Sequence, residues 1–188
     1  MIALREGSGR GSVKRVKVLD STAIFLGLTE GRDEHLITCE DILEELRHGG
    51  AELRAAAMKE GSLIKIVEPE ERYVERIRDL SSKIGEANLS RADVKLLALA
   101  LQQLEEGSDV SIITSDYAIQ NIASFLGIRV EPVLHRGIKE RIAWIAYCKL
   151  CGWSGDVSPG SACPRCGSRL GRRPRLKRVK LDEDKDSE

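Results

Sequence analysis

Two kinds of side chain in this 188-residue chain are spaced for chemistry. The first is cysteine. In "CKLCGWSGDVSPGSACPRCG", Cys148 and Cys151 stand two residues apart, and Cys163 and Cys166 repeat the pattern. Gly152 and Gly167 follow the two pairs and ease the tight turn that aims two thiolates at one ion. Two such turns complete a tetrahedral set of four sulfurs, the closed arrangement of structural zinc. A closed site has no open position for a substrate, so it supports folding rather than catalysis. Two disulfides are the rival reading, which a cytosolic redox setting disfavours. Cys39 is left over and reads as a small buried side chain.

The second kind is the carboxylate at a helix start. Asp20 ends the apolar run "VKVL", just before Ser-Thr, and Asp116 lies just past "SIIT". Asp93 belongs to "NLSRADVKLLALALQQL", where Leu96, Leu97, Ala100, Leu101 and Leu104 make one apolar face at about 100° per residue. Ser90-x-x-Asp93 resembles a capping box, yet Asp93 falls over the apolar stripe. In "DILEELR", Ile42, Leu43 and Leu46 define the buried face. Glu45 lies about 105° from its centre and Glu44 about 155°, so Glu45 sits on the shoulder and Glu44 points to solvent. Each aspartate alone is most often an N-cap. Gathered in one crevice, four carboxylates repel unless a hard cation joins them, and oxygen ligands suit Mg²⁺ or Mn²⁺. Such ions activate water and steady the leaving oxygen of a phosphodiester.

The elements that must position these acids alternate as in an α/β domain. "RVKVL" (15–19) reads as a buried strand, followed by a short helix from Ser21. A short strand or extended segment precedes the helix carrying Glu45, with Thr38 as its cap and Gly49-Gly50 as its end. "AELRAAAMKEG" reads as a further helix, "LIKIVEP" (63–69) as a strand, and "EERYVERIRDLSSKIG" as a surface helix. "DVSIIT" (109–114), "SDYAIQNIASFLG" and "IRVEPVL" complete a strand–helix–strand run. This order predicts a parallel sheet flanked by helices. Its strands would present Asp20 and Asp116 at their carboxyl ends, where ligands bind in open sheets.

Charge divides the chain although its net value is zero. Residues 1–135 hold 17 basic against 23 acidic side chains, residues 136–180 hold 12 against 2, and residues 181–188 hold 1 against 5. The basic stretch concentrates Arg172, Arg173, Arg175, Lys177, Arg178 and Lys180 in "GRRPRLKRVK", a suitable phosphate-binding arm. Trp144, Tyr147 and Trp153 flank the cysteines and read as the module's small core, with stacking on an RNA base as the sharper alternative. No apolar run approaches the ~20 residues of a membrane helix, and the first residues lack the apolar middle of a secretory signal. The expectation is a soluble, cytoplasmic protein.

"VLDSTAI", "TCEDILEELR", "LSRADVKLLALAL" and "IITSDYAIQNIA" resemble the four acid-bearing motifs of PIN-domain ribonucleases. With "TSDYAIQN" and the following four-cysteine ribbon and basic end, the chain looks most like the Nob family of ribosome-assembly endonucleases. Composition reads residues 1–13 as a disordered tail and 135–146 as a linker, and the resemblance implies a PIN nuclease domain over 14–134 and a zinc ribbon over 147–171, followed by a basic then acidic tail over 172–188. The resemblance implies that Asp20, Glu45, Asp93 and Asp116 hold the catalytic Mg²⁺ or Mn²⁺, with Ser21, Ser90, Thr114 and Asn121 orienting or bordering them. Some relatives carry another acid where Ser115 stands here. The implied activity is metal-dependent hydrolysis that matures the 3′ end of small-subunit ribosomal RNA. The implied partners are the precursor RNA, the pre-ribosomal particle and its assembly factors, and no membrane. Three alternatives stay open: a non-catalytic RNA-binding assembly factor, a toxin-type PIN ribonuclease, and a zinc-ribbon transcription accessory factor.

Overall fold

The computed structural model describes residues 13–28, 35–48, 64–86, 89–157, 160–175 and 179–180. The expected N-terminal tail, the helix "AELRAAAMKEG", the Gly49-Gly50 stop and the acidic C-terminus lie outside the described residues, except that Val13 is described.

A five-stranded sheet forms the body, built from β1 (Arg15–Leu19), β2 (His35–Thr38), β3 (Lys65–Ile66), β4 (Asp109–Thr114) and β5 (Arg129–Pro132). The spatial order is β3-β2-β1-β4-β5, and every neighbouring pair is parallel. Val16, Val18, Val110 and Ile112 are buried, as expected of strands covered by helices. The third strand is shorter than the expected 63–69 and keeps only two residues.

Five helices accompany these strands among the described residues: α1 (Ser21–Phe25), α2 (Glu40–His48), α3 (Glu71–Ile84), α4 (Arg91–Glu105) and α5 (Tyr117–Leu126). Thr38 does not cap α2. Its hydroxyl donates to Leu19 O at 2.8 Å, tying β2 to the end of β1, and the Glu40 N–H at the head of α2 donates to Glu68 Oε1 at 3.0 Å.

Helix α4 is the centre of the core. It packs against α2 and α3 and against β1 and β4, so Ala92, Val94, Leu96, Leu97, Ala98, Leu99, Ala100 and Leu101 are all buried. Its apolar surface therefore exceeds the single face expected, and even Gln102 is buried. Gln102 Oε1 accepts from Glu70 N at 3.0 Å and its Nε2 donates to Glu106 at 2.8 Å, which offsets the cost of burying an amide.

The C-terminal module is a three-stranded antiparallel sheet of β7 (Trp144–Tyr147), β8 (Ser154–Gly155) and β9 (Gly171–Pro174), in the order β8-β7-β9. It starts before and ends after the expected 147–171, because β9 recruits Arg172 and Arg173 into pairing with Ala146 and Ile145. The connecting segment is structured as well. Its β6 (Glu140–Arg141) pairs antiparallel with β10 (Val179–Lys180). Chain beyond the ribbon thus returns to pair with chain before it.

Candidate functional site

Asp20 follows β1 directly and caps α1. The strand order places β1 beside β4, with Leu19 opposite Ile113, and Asp20 N donates to Ile113 O at 3.1 Å. Strand order reverses between these two strands, the position where open parallel sheets bind ligands. Asp20 is only 5% exposed. Its Oδ1 accepts from Ser21 N at 2.6 Å and Ser21 Oγ at 3.2 Å, and its Oδ2 accepts from Thr114 Oγ1 at 2.7 Å.

Thr114 joins two of the expected acids. The oxygen that donates to Asp20 also accepts from Asp116 N at 2.9 Å. Asp116 caps α5, its Oδ1 accepting from Ala118 N at 2.5 Å and Ile119 N at 3.2 Å, and the residue itself is exposed.

Asp93 and Glu45 come from helices packed side by side. Ser90 and Asp93 form the predicted capping box: Ser90 Oγ accepts from Asp93 N at 3.1 Å and Asp93 Oδ2 accepts from Ser90 N at 2.8 Å. The same serine hydroxyl donates to Glu45 Oε1 at 3.3 Å. Asp93 is half-buried and Glu45 exposed, so Glu45 reaches the site from the rim of α2 rather than from within the core.

Electrostatics connect three of the acids. Burial pushes the Asp20 carboxyl above its ordinary value against the pull of Thr114 and Ser21, and Asp93 adds to the rise. Glu45 is raised by partial burial first, then by the charges of Asp93 and Asp20. A cation would relieve this strain between carboxylates. Asp20, Asp93 and Glu45 sense one another's charge, and Asp116 joins them through Thr114; among the described residues, the four cysteines are the group of His, Cys, Asp or Glu already gathered as for one ion. An open, partly protein-lined oxygen site fits Mg²⁺, which usually retains several waters and takes one or two carboxylates.

Asn121 lines a groove together with Asp116, but its side-chain amide is committed elsewhere. Its Nδ2 donates to Glu86 Oε2 at 3.1 Å and Ile142 O at 2.9 Å, and its Oδ1 accepts from Ile142 N at 2.8 Å. It anchors the connecting segment to α5. Glu86 is the site residue that sequence reasoning missed, since a glutamate after Gly85 reads as surface. It is 4% exposed and accepts from Trp144 Nε1 at 3.0 Å and Arg172 Nη1 at 2.7 Å. Arg172 also lies over the Trp144 ring at 4.4 Å. Arg172 is therefore turned inward, away from the RNA-facing arm expected of it, and Trp144 belongs to the junction rather than to the ribbon core. The close fit extends to Gly85, whose φ of +71° ends α3 and where a Cβ would stand 2.7 Å from Trp144 O.

The cysteines form two matching turns. Gly152 N donates to Cys148 O at 3.0 Å and Gly167 N to Cys163 O at 2.8 Å, with Gly152 at φ +73° and Gly167 at φ +74°. The Cys148–Cys166 and Cys151–Cys163 sulfurs stand 3.5 and 3.7 Å apart. That is too far for disulfides and close to the ~3.8 Å edge of a tetrahedron with zinc–sulfur bonds of ~2.3 Å. The Ser168 hydroxyl draws the Cys148 thiol down, whereas, against the pull of the Trp153 backbone, burial and the neighbouring thiols push Cys151 up, so the metal-free set keeps protons that a bound ion would displace. Ala146, Cys148, Cys163 and Leu170 are the buried centre, with Trp153 packed against it. So small an apolar core suits a module whose folding free energy comes from its metal.

A parallel sheet with carboxylates at its switch point and on the flanking helices defines a PIN-type nuclease. Accordingly, the family described as the PIN domain of ribonuclease matches residues 18–103, the stretch from β1 through most of α4. The Endoribonuclease Nob1 of Archaeoglobus fulgidus is 32% identical over 92% of this chain and 96% of its own length. That of Methanothermobacter thermautotrophicus is 35% identical over 84% and 92%. Ribonuclease VapC1 of Thermoplasma acidophilum is 32% identical over 84% of this chain and 77% of its own. The chain belongs to the Nob1 family of PIN-domain endoribonucleases. It is an endoribonuclease whose fold class uses divalent metal ions and whose substrate is RNA. Among the described residues, no helix is long and apolar enough to cross a membrane.

Proposed function

We propose that this endoribonuclease matures the 3′ end of small-subunit ribosomal RNA within a cytoplasmic pre-ribosomal particle, with Asp20, Glu45, Asp93 and Asp116 as its metal-binding acids. The observation that carries the assignment of the acids is Asp20: a carboxylate 5% exposed, raised by its own burial and by Asp93, and, among the described residues, without a cationic side chain bonded to it. Its hydrogen bonds satisfy a helix cap, but the neighbouring Asp93 charge adds a cost that a bound cation would offset. When bound, Mg²⁺ or Mn²⁺ supplies the positive centre that makes water a better nucleophile and neutralises charge on the phosphodiester.

The chain's own residues prepare that site. Thr114 holds the Asp20 carboxylate and the Asp116 backbone in one chain of hydrogen bonds. Ser90 holds Asp93 through the capping box and touches Glu45. In-line attack by water would leave a 3′-hydroxyl and a 5′-phosphate. The four-cysteine ribbon would hold structural zinc, and Arg173, Arg175, Lys177, Arg178 and Lys180 would make salt-sensitive phosphate contacts. Lys177 and Arg178 lie outside the described residues. Assembly factors of the particle are the expected protein partners.

The test is cleavage of an end-labelled RNA spanning the small-subunit 3′ end in Mn²⁺, in Mg²⁺ and in EDTA, with Asp93→Asn in parallel. One metal-dependent cut, lost in the variant while binding persists, is expected. Binding without a cut in either metal would favour the assembly-factor reading, and a cyclic phosphate end would exclude this chemistry. The similarity to a ribonuclease named VapC1 favours one second reading, a toxin-type nuclease. It predicts efficient cutting of transfer or messenger RNA with the ribbon dispensable.

A further inference from the structure

Tyr117 opens α5 immediately after Asp116 and is 56% exposed. Large aromatic side chains carry much apolar area and are usually covered. Tyr117 is covered in a particular way. His135 stacks against it with ring centroids 4.4 Å apart and planes 18° from parallel.

The pair is built rather than incidental. His135 Nε2 lies 2.7 Å from Ser115 O, the carbonyl just before Asp116, and Nδ1 lies 3.1 Å from Arg136 O. His135 N donates to Val133 O at 2.8 Å, closing a three-residue turn around Leu134. Leu134 has φ +65° and is the non-glycine residue with positive φ among the described residues. A tight turn with that sign of φ is the rare, strained form, and strain of this kind collects at functional sites. Here it delivers the imidazole to the tyrosine.

Tyr117 also lines a groove of about 490 Å³ with Ser115, Asp116, Asn121, Trp144 and Arg172. That volume is within the ~300–1,000 Å³ typical of small-molecule sites. The other aromatics near the ribbon are already engaged: Trp144 by Arg172, Tyr147 by Arg173, and Trp153 by the ribbon core. Tyr117 is the ring that meets the groove beside a candidate catalytic acid with its second face uncommitted to His135.

We infer that Tyr117, backed by His135, is a stacking platform for one unpaired nucleobase of the RNA substrate, next to the phosphate presented to Asp116. The inference rests on the reading of Asp116 as one of the catalytic acids. Stacking is tolerant of base identity because every base has a π face. The platform therefore sets the position of the strand, and hence of the cut, rather than its sequence. A ring held by a strained turn and by an imidazole N–H donated to a backbone carbonyl loses little freedom on binding.

The experiment uses the full-length protein and single-stranded RNA oligonucleotides covering the small-subunit 3′ end, each with 2-aminopurine at one position. Fluorescence is read in EDTA, so that binding is seen without cutting. Quenching is expected at one position near the cut, lost in Tyr117→Ala, weakened in His135→Ala and kept in Tyr117→Phe and Tyr117→Trp. With metal, Tyr117→Ala should raise KM about ten-fold and scatter the cut over neighbouring bonds, and Tyr117→Phe should do neither. Quenching at no position, quenching unchanged in Tyr117→Ala, or loss of quenching in Tyr117→Phe would each overturn the platform. Tyr117→Phe and His135→Ala keep the test decisive if Tyr117→Ala folds poorly. Quenching without cleavage would keep the platform and sink the processing role, whereas cleavage unaffected by Tyr117→Ala would sink the platform alone.

Discussion

Arg172 donates to Glu86 at 2.7 Å across 86 residues of sequence, from the last strand of the ribbon to the end of α3. Glu86 is nearly sealed from solvent, whereas the Arg172 side chain keeps a third of its exposure. The carboxylate also receives Asn121 and Trp144, so four elements of the chain meet on one buried group.

Removing the arginine would strand that charge. Arg172→Ala is expected to destabilise the protein by about 2–3 kcal/mol, somewhat below the usual cost of orphaning a buried ion because the pair is partly solvated. Pairing it with Glu86→Gln should recover part of the loss. Urea denaturation followed by tryptophan fluorescence would measure both, and additive losses in the double variant would refute the coupling.

Thr114 tests the link between the two strand-end aspartates. Thr114→Val removes the donor to Asp20 and the acceptor for Asp116 N, leaving the buried Asp20 oxygen without this partner at roughly 1–3 kcal/mol. Cleavage should fall by about ten-fold or more, and Thr114→Ser should restore most of it. Single-turnover rates would decide, and a Val variant as active as the parent would remove Thr114 from the site.

Burial raises the Asp20 carboxyl in the metal-free protein. A raised carboxyl contributes stability that is fully present below its unfolded value, near 3.8, and is lost as pH rises through the folded value. Asp20→Asn should therefore be more stable than the parent at neutral pH without metal, and the advantage should vanish in acid. Mg²⁺ should stabilise the parent, by about 2.7 kcal/mol at a hundred-fold excess over Kd, and leave the variant unmoved. Thermal melts at pH 3.5 and 7 with and without the ion would show it. A variant less stable at pH 7 would contradict the argument.

Zinc removal should act on one half of the molecule. The ribbon buries few apolar side chains, while the sheet and helices share a large core. Chelation, or Cys148→Ser, is expected to unfold β7–β9, release Trp144 from Glu86 and leave the parallel sheet folded. Tryptophan fluorescence should shift while most far-ultraviolet dichroism persists, and RNA affinity should drop. A single cooperative loss of both signals would mean that the body depends on the ribbon.

The cysteine pairs were legible because the ligand set is local: two-residue spacings and their glycines need no distant partner to make a turn. The capping box at Ser90 and Asp93, the strand-end aspartates and the parallel α/β order were legible for the same reason, since caps and periodicity are written within a few residues. The unusual place of Asp93 on α4 pointed further, toward neighbours that α4 alone does not name. Burial all round α4 depends on the layers that enclose it, so its single predicted face was too narrow. Glu86 looks like any surface glutamate until Arg172, Trp144 and Asn121 arrive from remote segments. Arg172 looks like part of a basic arm until β9 pairs with β7. Tyr117 and His135 meet only because a strained turn after β5 brings the imidazole back over α5. Residue types and local spacing determined the chemistry available to this chain, while the parallel sheet and ribbon pairing decided which groups face solvent and which face each other. Contacts between residues far apart in sequence exist only once the entropy of bringing them together has been met by the common core.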